Sequence, residues 1–123
     1  MEERNSIKWS EYSEYTELTI PNGEIWMSES ELVDLFGLFI PKLRNAIKAL
    51  YKEGQVKPYE AERTIKVKQN QYLTLYNMEV VMLLAFRLNT YQTRAVRKEL
   101  MERISRDHKP FEVILTATTG KGN

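Results

Sequence analysis

A chain of 123 residues is long enough to bury one core of ordinary size without metals or disulfides, and a single domain is expected. Apolar residues make up 42% and charged residues 28%, a balance that excludes global disorder and fibrous repeats, and the absence of cysteine excludes a disulfide framework, a thiol nucleophile and any cysteine metal site. The net charge of +1 hides a segregation: residues 1–36 carry two basic and nine acidic side chains, residues 37–109 carry fifteen basic and seven acidic ones, and the basic block suits a polyanionic partner.

Residues 1–10 read as a flexible arm that only Ile7 and Trp9 could dock. The start Met-Glu-Glu-Arg-Asn-Ser is too polar for a secretory signal, and the longest apolar run, Val80 to Phe86, is too short to span a bilayer, so a cytoplasmic protein is expected. Tyr15 to Ile20 alternates Leu18 and Ile20 with Glu17 and Thr19, as a half-buried strand does. Pro21-Asn22-Gly23 is a turn, and Ile25, Trp26 and Met27 form a second short strand. The expectation is a hairpin between these two strands that delivers Ser28 to a helix.

Ser28 with Glu31 is a capping-box pattern, so a helix starts near Glu29. Leu32, Val33, Leu35 and Phe36 follow at helical spacing, and Gly37 stands where a left-handed residue closes a short helix. Pro41 supplies a first-turn residue for a second helix, in which Leu43, Ala46, Ile47, Leu50 and Tyr51 form one apolar stripe ending before Gly54. Lys42, Arg44, Asn45 and Lys48 lie outside that stripe. A short capped helix, a glycine turn and a second helix with cationic and amide side chains outward is the helix-turn-helix arrangement that sets a helix in a DNA major groove. The same punctuation serves ordinary helical hairpins, and both readings stand on this stretch alone.

Gln55 to Glu62 reads as a polar loop in which Pro58 bars a continuing helix. Thr64 to Lys68 and Gln71 to Tyr76, joined by Gln69-Asn70, read as a second hairpin. After a recognition-like helix, such a ribbon can lie along the phosphate backbone, with Lys66, Lys68 and Asn70 placed to touch it; lysines there equally protect an exposed sheet edge. Asn77 caps a helix from Met78 to about Leu88 that is apolar around most of its circumference and is expected to be the central core helix. A further helix from about Gln92 to Arg106 has Val96, Leu100 and Ile104 on one face, with Arg94, Arg97 and Lys98 elsewhere as a possible second basic surface. Phe111, Val113 and Leu115 alternate as a last strand, and residues 116–123 read as a disordered tail.

No phosphate-binding glycine loop, dinucleotide glycine triad or nucleophile elbow occurs. The one histidine, His108, has no partner with which to build a metal site, so neither a cofactor nor an enzyme activity is expected.

From Glu24 to about Ile104, roughly two-thirds of the chain, the sequence resembles the N-terminal region of the RhuM-like virulence-associated proteins, a bacterial family of mobile elements and pathogenicity islands. The resemblance rests on Ile25-Trp26-Met27-Ser28-Glu29-Ser30-Glu31-Leu32 with Leu35-Phe36-Gly37, on Ile47 and Tyr51-Lys52-Glu53-Gly54, and on Tyr76-Asn77-Met78-Glu79-Val80 with Phe86-Arg87-Leu88-Asn89-Thr90 and Arg97. It implies DNA binding and no enzyme activity. The chain departs from the family at Phe39 and Ile40, where a small polar and a basic or amide residue are usual, and near Glu99, where the family has tryptophan.

The expected protein is therefore an α+β, winged-helix-like helix-turn-helix domain over residues 11–115, with two β-hairpins, a central buried helix and a C-terminal helix. It would bind duplex DNA as a transcription regulator, as a dimer, through the helix 41–53 and the hairpin 64–76. The alternative is a non-enzymatic protein-interaction or antirepressor-like module that uses Phe39, Ile40 and the acidic N-terminal block.

Overall fold

The computed structural model describes residues 4–11 and 16–107. In chain order they form β1 (Lys8–Glu11), β2 (Thr16–Thr19), β3 (Trp26–Ser28), α1 (Glu29–Phe36), α2 (Ile40–Lys52), α3 (Pro58–Ala61), β4 (Glu62–Lys68), β5 (Gln71–Asn77), α4 (Met78–Arg87) and α5 (Tyr91–Asp107). The fold is α+β. Among the described residues β1 and β2 make one antiparallel sheet, and β3, β5 and β4 make a second in that order. The last strand expected around Phe111, Val113 and Leu115, the tail 116–123 and His108 lie outside the described residues.

The helix boundaries follow from local chemistry. The Glu31 amide donates to Ser28 Oγ at 3.3 Å and the Ser28 amide donates to Glu31 Oε1 at 2.8 Å, so both orphan donors at the start of α1 are satisfied. Gly37 ends α1 in the left-handed region at φ 63°, ψ 50°, and a Cβ there would lie 2.6 Å from the Gln92 side chain. Pro41 lies in the first turn of α2, and Asn77 Oδ1 caps α4 by accepting from the Val80 amide at 3.1 Å. Thr90 Oγ1 accepts from the Thr93 amide at 2.9 Å at the start of α5 and donates to the Phe36 carbonyl at 2.7 Å, tying α5 to the end of α1.

One core holds these elements together. Leu32, Leu35 and Phe36 of α1, Leu43, Ile47 and Leu50 of α2, Val80, Val81, Leu84 and Ala85 of α4, and Val96 and Leu100 of α5 are all buried. The stripe expected on α2 and the core position expected for α4 are both present.

Three expectations need correction. First, β3 does not pair with β2. It pairs antiparallel with β5, Met27 opposite Tyr76, while β2 pairs with β1, Trp9 opposite Leu18. A three-residue strand has little pairing energy of its own, and it takes the position where Met27, fully buried, reaches the core beside Tyr76. Second, residues 4–11 are not a free arm. Asn5 bridges to Ile25, Ile7 is 1% exposed, and Trp9 Nε1 donates to the Leu35 carbonyl at 3.0 Å. Arg4 donates to both Glu31 carboxylate oxygens, at 2.7 and 3.0 Å, and to the Trp26 carbonyl at 2.9 Å. Third, the loop after α2 contains the single turn α3, in which Pro58 starts a helix rather than only barring one; Val56 and Ala61 are buried beside it.

The Arg4–Glu31 pair makes stability depend on pH. Partial burial pushes the Glu31 carboxyl up, but the Arg4 guanidinium and the Ser28 amide outweigh it and hold the group below the usual carboxylate value. A carboxyl whose folded-state pKa is depressed contributes stability above its unfolded pKa, about 4.3, and that contribution is lost as pH falls through the folded value. Arg4→Met is therefore expected to be less stable than the parent chain at pH 7, with the gap narrowing as pH falls through the folded-state value of Glu31 and the bond to the Trp26 carbonyl accounting for what remains. Urea midpoints at several pH values check this, and a gap that stays constant with pH would show that Arg4 acts through packing instead.

Candidate nucleic-acid interface

The candidate surface is built from α2 and the β4–β5 hairpin. With Leu43, Ala46, Ile47 and Leu50 turned into the core, the 3.6-residue period leaves Lys42, Arg44, Asn45, Lys48 and Lys52 exposed on the outer side of α2. In the hairpin, Gln69-Asn70 forms the turn, with Asn70 at φ 63°, a left-handed conformation that asparagine tolerates better than most residues. Lys66, Lys68 and Asn70 are exposed, and Val67 between the lysines is half-buried.

A cleft of about 380 Å³ joins the two elements. Its walls are Ser28, Glu29 and Ser30 at the start of α1, Ile40 at the start of α2, and Tyr72, Leu73, Thr74 and Tyr76 of β5. Lys66 stands directly across the hairpin from Tyr72, so the cleft sets the first turn of α2 beside the outer half of the hairpin. Beyond Ser28, β3 no longer covers the edge of β5, and this is where the cleft opens.

The expected site residues are not equivalent. Lys42, Asn45, Lys48, Lys66, Lys68 and Asn70 present exposed side chains on these two elements. Arg44, although 63% exposed, donates from Nε and Nη2 to the two carboxylate oxygens of Glu29 at 2.8 and 2.9 Å. The hydrogen bond from Arg44 holds the Glu29 carboxyl below the usual carboxylate range. An exposed ion pair of this kind contributes little to stability, so exchanging Glu29 for a phosphate costs little.

Arg97 makes contacts within the domain. It is half-buried, its Nη1 donates to the Ala85 carbonyl at 2.9 Å, and its guanidinium lies 5.9 Å from the Phe86 ring centre. It satisfies a carbonyl near the end of α4, so part of its hydrogen-bonding capacity is spent inside the domain. Arg94 is exposed and donates to the Asn89 carbonyl at 3.2 Å, and Lys98 is exposed. Both sit on α5, and no residue of α5 lines the cleft. Arg87 donates to both oxygens of Glu53 at 2.8 and 2.7 Å and ties the end of α4 to the end of α2.

Phe39 and Ile40 separate from each other. Phe39 is 84% exposed, whereas Ile40 is half-buried in the cleft wall. Sequence reasoning passed over Lys52 and Tyr72. Lys52 continues the exposed row of α2 four residues beyond Lys48, a spacing visible in the sequence. Tyr72, 64% exposed, gave no signal, because strand alternation does not say which face of a sheet will be covered. Tyr51 donates to Glu62 Oε2 at 2.6 Å; burial and then this bond push its hydroxyl far up, so it remains a neutral tie between α2 and β4.

No family model, curated protein or solved structure matches the chain. Among the described residues no cluster of acidic or histidine side chains could hold a metal ion, and no helix is long and apolar enough to cross a membrane.

Proposed function

We propose that this chain is a duplex-DNA-binding module of a RhuM-like transcription regulator, with α2 in the major groove and the β4–β5 hairpin along the phosphate backbone. One observation carries the reading: the cleft brings the first turn of α2, with Lys42, Arg44, Asn45 and Lys48 exposed along the helix, beside the half of the hairpin that bears Lys66 and Lys68. Two cationic elements so placed can touch one duplex together, the helix through base edges and the ribbon through phosphates. Asn45 suits adenine, which offers a donor and an acceptor side by side in the major groove. Lys42, Lys48, Lys66 and Lys68 hold phosphates, and Arg44 joins them by leaving Glu29. A helix of this length makes few contacts, so a dimer on two half-sites is the working form.

A second reading, a protein-interaction or antirepressor-like module, draws on the exposure of Phe39. Fluorescence anisotropy with a labelled random duplex across a salt series separates the two. The expected result for the parent chain is an affinity that falls linearly on a log–log plot, with a slope of about 0.9 per phosphate contacted. Lys42→Ala/Lys48→Ala should make that slope shallower by about 1.8. Absence of binding even at low salt would end the DNA reading in favour of a protein partner.

A further inference from the structure

We infer that Phe39 is a base-reading residue whose ring packs against the 5-methyl group of a thymine in the major groove; this rests on the DNA-binding reading above. Phe39 breaks two local rules at once. It is the N-cap of α2, with φ −94° and ψ 153°, and like Lys57 before the single turn α3 it makes no side-chain capping bond, whereas Ser28, Asn77 and Thr90 cap the longer helices α1, α4 and α5 through side-chain oxygens. It is also, at 84%, the most exposed large apolar side chain of the described residues. A side chain that makes no capping bond and leaves a phenyl ring in water adds little to the stability of the fold, and sites that contradict their local rules in this way are typically functional.

The backbone that carries the ring is fixed on both sides. The Leu43 amide donates to the Phe39 carbonyl at 3.1 Å, Pro41 fixes the dihedral two residues on, and half-buried Ile40 anchors the next position in the cleft wall. The exposed side chains around it set the chemistry of its partner. Lys42, Arg44, Asn45 and Lys48 follow along the same helix, and lysine is depleted from the cores of protein interfaces but is what phosphate attracts. The first residues of a helix docked in the major groove meet base edges, and the apolar feature displayed there is the thymine methyl group.

The test begins with selection of a preferred duplex from a randomised pool by the parent chain. Each thymine of that duplex is then replaced by uracil, which removes the methyl group and nothing else, and affinities are measured for the parent and for Phe39→Ala. The expected result is one thymine in each half-site where uracil weakens the parent by about fourfold, the equivalent of one buried methyl group. Phe39→Ala should bind the thymine and uracil duplexes alike, with its salt slope unchanged. A parent that binds in a salt-dependent way but is indifferent to uracil at every position overturns this inference while leaving DNA binding intact. Selection of no preferred sequence, or a uracil penalty that survives in Phe39→Ala, overturns it too. Absence of binding to any duplex removes both the inference and the reading beneath it.

Discussion

Phe36→Ala is expected to cost about 3–5 kcal/mol of folding stability, the range for removing a buried aromatic ring. Phe36 is fully buried as the last residue of α1, next to Gly37, and its carbonyl accepts the Thr90 hydroxyl that starts α5. The ring belongs to the one buried cluster to which α1, α2, α4 and α5 all contribute, and close-packed interiors leave little freedom to collapse into a void. Since a domain of this size is stable by only about 5–15 kcal/mol, the variant should sit near the edge of folding at room temperature. Urea denaturation monitored by circular dichroism measures the shift in midpoint. A loss below about 1 kcal/mol would mean that neighbouring side chains refill the site.

Removal of four lysines should be equally decisive for binding. Lys42→Ala/Lys48→Ala on α2 combined with Lys66→Ala/Lys68→Ala on the hairpin is expected to lower affinity for random duplex by three to four orders of magnitude at about 0.1 M salt, at about 0.9 log units per phosphate contact. The four side chains are exposed, so the fold should survive their loss, and a thermal melt checks that it does. The helix pair and the hairpin pair sit on separate elements, and their losses should add. If removing the hairpin pair leaves the salt slope unchanged, the ribbon does not reach the backbone and α2 binds alone. If all four can be removed without effect, the surface is not a phosphate surface.

The parts of the molecule legible in the sequence are those whose cause is local. Ser28 with Glu31, Gly37, Pro41 and Asn77 each dictate a backbone state within a few residues of themselves. The apolar stripe of α2 and the all-round apolar character of α4 announce burial whatever they pack against. The hairpin of β4 and β5 was legible for the same reason, since its two strands adjoin one two-residue turn. The candidate surface was legible as a set of residue types, because positions off a buried stripe must face outward.

What only the tertiary structure decided was which distant groups meet. Strand alternation marked residues 16–19 and 26–28, but β3 found its partner in β5, about fifty residues away, because the pairing is chosen by where Met27 can be buried. Arg4, in a segment that reads as a loose arm, is held by Glu31 twenty-seven positions on. Arg44, Arg87 and Arg97 look alike as cations in the sequence; one meets Glu29, one Glu53 and one the Ala85 carbonyl. The exposure of Phe39 and the partial burial of its neighbour Ile40 in the cleft could not be separated by residue type, since both are large and apolar. Local signals act through dihedrals and periodicity, which each residue carries with it; pairing and exposure depend on the rest of the chain being in place.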